Sequence, residues 1–268
     1  MKEVNNPDVN RDAREASNVF ELIGSQCDLA MRATDALTVY LSKGSREAAV
    51  QVGDIGLEAE TQRSGSLDIL RREFSDSPLR EGVHSAINSI VEIIHYVRTT
   101  AREMEMLRVG KHAHLDQLGA LIKSGVQSLA NGYIRLAAGK TDVDDCVEET
   151  RKAEREAGDT YRNALSDLFN LESFHEALDA KEAHFEHKFM GHYLSAKADR
   201  HGAATKALIY VADIFRRREI LRHLSNAADR VLIAGNVLHE VAAQASSNKP
   251  KGLGKSGSRK STCTYPDN

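Results

Sequence analysis

The chain has 268 residues, of which 41% are hydrophobic and only 5% aromatic, and it contains no tryptophan. This apolar content can form one large buried core, and the few aromatic residues suit helices built on Leu, Ile, Val and Ala. The formal net charge of −3 excludes a strongly basic, nucleic-acid-binding class. No apolar run approaches the roughly 20 residues that span a bilayer, so we expect at most peripheral membrane association.

The two ends of the sequence differ in composition from its centre. Residues 1–11 have no apolar stretch typical of a signal peptide, and we expect them to be a flexible N-terminus. Residues 246–268 carry five basic side chains and one acidic side chain, which predicts a disordered basic tail. Three widely spaced cysteines, Cys27, Cys146 and Cys263, form no CxxC pair and indicate a reducing, cytoplasmic location.

Proline placement and periodicity predict an all-α fold. No proline occurs between Leu79 and Lys249, so long uninterrupted helices are allowed there. Apolar residues recur every three or four positions and predict six main antiparallel helices in a bundle over 12–245. We expect these helices at about 12–42, 45–74, 79–108, 113–138, 141–170 and 203–245. A capping box at Thr141 and Asp144 would open the fifth, and the His-rich insert 171–202 would add one extra helix.

Two of the predicted helices have a clear apolar face. In the third helix, a core face is expected from Val83, Ala86, Ile87, Ile90, Ile94 and Val97. A polar stripe beside it holds Glu81, His84, Asn88, Glu92 and His95. In the last helix, steps of three and four join Leu221, Leu224, Ala228, Val231, Gly235, Leu238 and Ala242. Because Ala and Gly alternate with larger residues there, a neighbouring helix is expected to approach closely.

Three segments of the chain resemble a known family. They are EREAGDTYRNALSDLF at Glu154–Phe169, REILRHLSNAADRVLIAGNVLHEV at Arg218–Val241 and FSDSPLREGVHSAINSIVEIIHYV at Phe74–Val97. Together with the helix order, these segments resemble the PhoU-like putative phosphate-transport regulators. The resemblance implies two three-helix repeats in one bundle. It also implies a cytoplasmic, homo-oligomeric accessory protein that regulates inorganic phosphate transport by protein binding, beside a Pit-type phosphate transporter.

The resemblance further implies carboxylates that converge from neighbouring helices on divalent metal ions such as iron, zinc or nickel. The matching acids in this chain are Glu58, Glu60, Glu92, Glu154, Glu156 and Asp229. Other positions of the family pattern hold Gln62, Asn88, Ser89, Gly158, Ser225 and Asn236, so the acidic set is incomplete. We therefore expect either a partial metal site on the six acids or no cofactor.

Alternative functions remain open for the polar residues. Glu-x-x-His occurs at 81–84, 92–95 and 172–175, a spacing used by carboxylate-bridged dimetal oxidases and metal-storage bundles. In the insert, His184 and His187 are three positions apart and could bind zinc. A scaffold that dimerises and binds no ion is a third alternative. Because the sequence has no nucleophile elbow, P-loop or dinucleotide fingerprint, we do not predict an enzyme.

Overall fold

The computed structural model describes residues 7–170 and 200–247. These residues form six α-helices and no strand: α1 Pro7–Lys43, α2 Arg46–Glu73, α3 Arg80–Leu107, α4 Ala113–Ala137, α5 Asp144–Leu168 and α6 Arg200–Ser247. The prediction of an all-α bundle is confirmed. None of these six helices has the length and apolar character needed to cross a membrane. Most of the His-rich insert, residues 171–199, lies outside the described residues.

Local sequence explains most of the helix ends. The first helix begins at Pro7, five residues before the predicted start. Proline is favourable at this first position because it lacks only an N–H that would have no partner within the helix. It ends before Gly44, whose φ of 68° is a left-handed conformation that glycine adopts without strain. Ser45 then caps α2, since its hydroxyl accepts a hydrogen bond from the Ala48 amide at 3.3 Å.

The predicted capping box at the start of α5 is wrong. The helix begins at Asp144, and the residue at the N-cap position is Val143, which makes no side-chain hydrogen bond to the first turn. The acidic side chains of Asp144 and Asp145 occupy that turn instead. Negative charge at this end is favourable because it interacts with the partial positive charge of the helix N-terminus.

The six helices form one bundle in which each helix packs on at least two others. Helices α1, α2 and α3 all contact one another, and so do α4, α5 and α6. The two groups meet where α1 packs on α4 and α3 packs on α6. The predicted core face of α3 and the predicted stripe of α6 are buried throughout.

Small residues let α6 approach its neighbours closely, as the stripe predicted. A Cβ added at Gly235 would overlap the side chain of Thr150 on α5. A Cβ added at Gly132 on α4 would overlap Leu238 of α6. The backbones of α4 and α6 are therefore close enough for Leu238 to fill the space beside a glycine, in the dense packing typical of a core.

Candidate functional site

The two predicted ligands on α2 are paired with arginines. Both carboxylate oxygens of Glu58 accept hydrogen bonds at 3.1 Å from the Arg32 guanidinium of α1, and both side chains are about half exposed. Glu60 pairs with Arg63, one helical turn along, also at 3.1 Å. Exposed ion pairs of this kind contribute little to stability, and they leave both carboxylates on the surface of the bundle.

The four remaining predicted ligands lie on three different helices. Glu92 is exposed on α3, Glu154 is half-buried and Glu156 exposed on α5, and Asp229 is exposed on α6. Partial burial raises the pKa of Asp229 above its ordinary value, and the positive charge of Arg230 opposes that rise. Within the described residues, no three of the six acids bring ligand atoms within 4.8 Å of one another. Metal binding by this set stays a prediction.

A different group of side chains does converge in the described part of the chain. One ligand atom from each of Glu103 on α3 and Glu219 and His223 on α6 lies within 4.8 Å of the other two. The Nε2 atom of His223 is 2.8 Å from Oε2 of Glu103 and 3.5 Å from Oε1 of Glu219. His223 is only 8% exposed, so the imidazole lies between the two helices. We call these three side chains the α3–α6 cluster.

Helix packing explains why these three residues meet. Glu219 and His223 are four residues apart, which places them on one face of α6. His223 lies among the buried residues Ile220, Leu221 and Leu224, so the apolar stripe carries it into the interface with α3. The two helices are antiparallel: Glu103 near the end of α3 meets His223, whereas Gly82 near its start faces Val241 and Gln244.

A hydrogen-bonded arginine beside the α3–α6 cluster favours the ionised form of Glu219. Arg222 donates from Nε and Nη2 to Glu219, and this hydrogen bonding lowers the pKa of Glu219 below its ordinary value. Nε2 of His223 is 2.8 Å from the Glu103 carboxylate, a distance at which an N–H on that nitrogen would donate to a carboxylate oxygen. The other ring nitrogen, Nδ1, is buried and has no hydrogen-bond partner among the described residues.

The Glu-x-x-His motifs on α3 do not bring a group of three metal-ligating side chains together in the described part of the chain. His84 contacts Asn88 on its own helix, and His95 is exposed on α3. The third Glu-x-x-His motif, at 172–175, and the histidine pair at 184 and 187 lie outside the described residues. Cys27 is a poor candidate nucleophile because burial raises the pKa of its thiol.

Sequence reasoning missed the α3–α6 cluster. The Glu219-x-x-x-His223 spacing was the available signal, since residues four apart share a helix face. Glu103 was not detectable in this way, because it lies 120 residues from His223 and meets it only through the packing of α3 against α6.

Comparison with known proteins adds no family assignment. No family model matches the chain. No curated protein matches it either. The PhoU-like resemblance therefore stays a prediction that rests on the three quoted segments.

Proposed function

We propose that this protein is a cytoplasmic accessory protein that regulates inorganic phosphate transport by binding a partner, such as a Pit-type transporter. The phosphate-transport role is supported by the PhoU-like resemblance of Phe74–Val97, Glu154–Phe169 and Arg218–Val241. The binding mode is supported by an exposed apolar surface on α6. In this proposal the protein forms homo-oligomers and performs no catalysis.

The pattern of helix contacts supports the family architecture. The family implies two three-helix repeats, and α1–α3 and α4–α6 each form a mutually contacting group of three. Helices that hold the same position in the two groups also meet, because α1 packs on α4 and α3 packs on α6. We infer that the two groups are repeats of one unit.

The observation that carries the binding function is an apolar stripe on α6. Leu208, Val211 and Phe215 are spaced by three and four residues, so they share one helix face. They are 70%, 44% and 58% exposed, respectively. Exposed apolar side chains that are contiguous on a surface are typical of protein-interaction sites. We call these three residues the α6 docking stripe.

The length of α6 explains this exposure. It has 48 residues and is about 72 Å long, whereas α3 has 28 residues and is about 42 Å long. His223 meets Glu103 close to the end of α3 at Leu107, so the part of α6 before Glu219 continues beyond α3. The stripe therefore has no α3 surface to pack on, and a helical or grooved partner surface could cover it.

The charges beside the stripe favour an acidic partner surface. Arg216, Arg217 and Arg218 follow Phe215 directly, and Arg217 is partly neutralised by Asp213 at 2.8 Å. Complementary charge around an apolar contact increases the rate of association and selects the partner. We therefore expect the transporter's cytoplasmic loops to supply an apolar patch with acidic residues around it.

The role in transport is tested by deleting the gene in its own host and measuring uptake of radiolabelled phosphate at high and low external phosphate. We expect the deletion strain to take up phosphate at an altered rate or to lose its response to external phosphate. Unchanged uptake and unchanged regulation would refute the proposal.

The docking stripe is tested separately with the double variant Leu208→Asp, Phe215→Asp. The variant should fold but fail to co-purify with the transporter from detergent-solubilised membranes, and it should not restore normal uptake in the deletion strain. The matched control is Leu57→Asp on α2, because Leu57 is also 57% exposed but lies outside the stripe. If the control and the double variant bind equally well, the stripe is not the docking surface.

A further inference from the structure

We propose that the α3–α6 cluster is a binding site for one divalent transition-metal ion of the Zn²⁺ class. Glu103, Glu219 and His223 would each supply one ligand atom. Two carboxylate oxygens and an imidazole nitrogen are a ligand set that suits Zn²⁺ and similar borderline ions. The site differs from the six acids of the family pattern and depends only on the packing of α3 against α6, not on the phosphate-transport proposal.

The distances in the α3–α6 cluster are close to those of a metal site. Ligand atoms about 2.0–2.1 Å from a tetrahedral Zn²⁺ are roughly 3.3 Å from one another. The contact between His223 and Glu219 is 3.5 Å and the contact between His223 and Glu103 is 2.8 Å. The third pair, Glu103 and Glu219, has ligand atoms within 4.8 Å of each other, and both glutamate side chains are a quarter to a third exposed, so they have room to rotate towards an ion.

The position of His223 distinguishes this site from an ordinary surface ion pair. Its side chain is only 10% exposed, and its Nδ1 has no hydrogen-bond partner within the described helices. Metal binding at Nε2 requires the lone pair on that atom, so a neutral imidazole that binds the ion there carries its proton on Nδ1. The ion would then take the place of the direct contact between Nε2 and the Glu103 carboxylate.

The surroundings of the α3–α6 cluster predict exchangeable rather than permanent binding. A metal-bound histidine usually donates its second N–H to a carboxylate or carbonyl, and losing that partner costs about 10–100-fold in affinity. Nδ1 of His223 lacks such a partner in the described structure. Three protein ligands also leave a fourth position for water, unlike the closed four-ligand sites that hold structural zinc.

Arg222 is expected to compete with the ion. Its guanidinium bonds the Glu219 carboxylate and places a positive charge beside the proposed site. Removing that charge frees Glu219 and reduces the repulsion felt by a divalent cation. Arg222→Gln should therefore bind metal several-fold more tightly than the unchanged protein.

The test is calorimetric titration of metal-free full-length protein with Zn²⁺. The variants are His223→Asn, Glu219→Gln and Arg222→Gln, with His239→Asn as the matched control. His239 lies on the same helix but is more than half exposed and pairs with Asp144. The unchanged protein and His239→Asn should each bind one more equivalent of Zn²⁺ than His223→Asn or Glu219→Gln does. Arg222→Gln should bind that ion with the lowest Kd.

Two results would overturn the proposal. One is no Zn²⁺ binding by the unchanged protein; the other is the same stoichiometry and Kd in the unchanged protein, His223→Asn and Glu219→Gln, which would place the ion elsewhere. Circular dichroism of each metal-free variant checks that it folds. If His223→Asn is unfolded, the opposite effects of Glu219→Gln and Arg222→Gln decide the question, because both of these side chains are partly exposed.

Discussion

The two parts of α6 use the same apolar spacing with different results. Leu221, Leu224 and Leu238 are at most 4% exposed because α3, α4 and α5 surround this part of the helix. Leu208 and Phe215 follow the same spacing of three and four residues but are more than half exposed. Periodicity thus indicates which residues share a face, whereas the length of the neighbouring helices decides whether that face is covered.

The largest expected effect is a loss of stability in the buried part of α6. Leu238→Ala should lower the free energy of unfolding by about 2–5 kcal/mol, because Leu238 is fully buried against Gly132 and its truncation leaves a cavity. Leu208→Ala, in the exposed part, should change it by no more than about 0.5 kcal/mol. Urea unfolding followed by circular dichroism measures both. Equal losses would mean that the two parts are packed alike.

A smaller loss is expected from filling the space beside Leu238. Gly132→Ala should cost about 1–3 kcal/mol, since the new Cβ would overlap Leu238 and the side chain has little room to move. The control is Gly65→Ala on α2, where an added Cβ meets nothing within 4 Å, and alanine should stabilise the helix there by about 1 kcal/mol.

A double variant separates overlap from other causes. In the Leu238→Ala protein, the overlap is gone, so Gly132→Ala should no longer destabilise and should become neutral or slightly stabilising. If its cost is unchanged in that background, contact with Leu238 does not explain it, and α6 is less tightly packed on α4 than we infer.

The next effect lies at the start of α4, near Arg217 of α6. His112 caps α4, since its Nδ1 accepts a hydrogen bond from the His114 amide at 3.3 Å. Burial, followed by the nearby charges of Arg217 and His114, lowers the pKa of His112 below 6.5. The unfolded chain therefore binds the proton more readily, and stability should fall as the pH drops below about 6.5.

His112→Asn tests this pH dependence. Asparagine is a good N-cap residue that does not titrate, whereas losing the cap entirely costs about 1 kcal/mol. Melting temperatures measured from pH 8 to pH 5 should fall less steeply in this variant than in the unchanged protein. Identical pH profiles would mean that His112 does not couple the cap to protonation.

Much of the fold could be predicted from the sequence because helix formation depends on local patterns. The core face of α3 and the glycine in the α6 stripe are examples, since Ile90 is buried and Gly235 meets Thr150 as expected. The cap at Thr141 could not be judged locally, because the chain between α4 and α5 could begin the helix at several residues. The spacing of Glu219 and His223 places both on one helix face, but their meeting with Glu103 required the packing of two distant helices, which no local spacing reveals.

The smallest expected effect is a change in melting temperature on replacing Asp229, which lies on the well-packed part of α6. The sign of this change distinguishes a solvated carboxylate from a metal ligand. Partial burial raises the pKa of Asp229 in the folded state, so ionising it costs stability as the pH rises above the unfolded value of 3.8. Asp229→Asn removes that cost and should slightly raise the melting temperature at pH 7 in metal-free buffer. At pH values well below the unfolded pKa, Asp229 is protonated and neutral in both the folded and the unfolded chain, so the gain should vanish there. If Asp229 is a metal ligand, adding Zn²⁺ or Fe²⁺ should reverse this difference. The melting temperature of Asp229→Asn would then be lower than that of the unchanged protein, because the variant lacks a ligand.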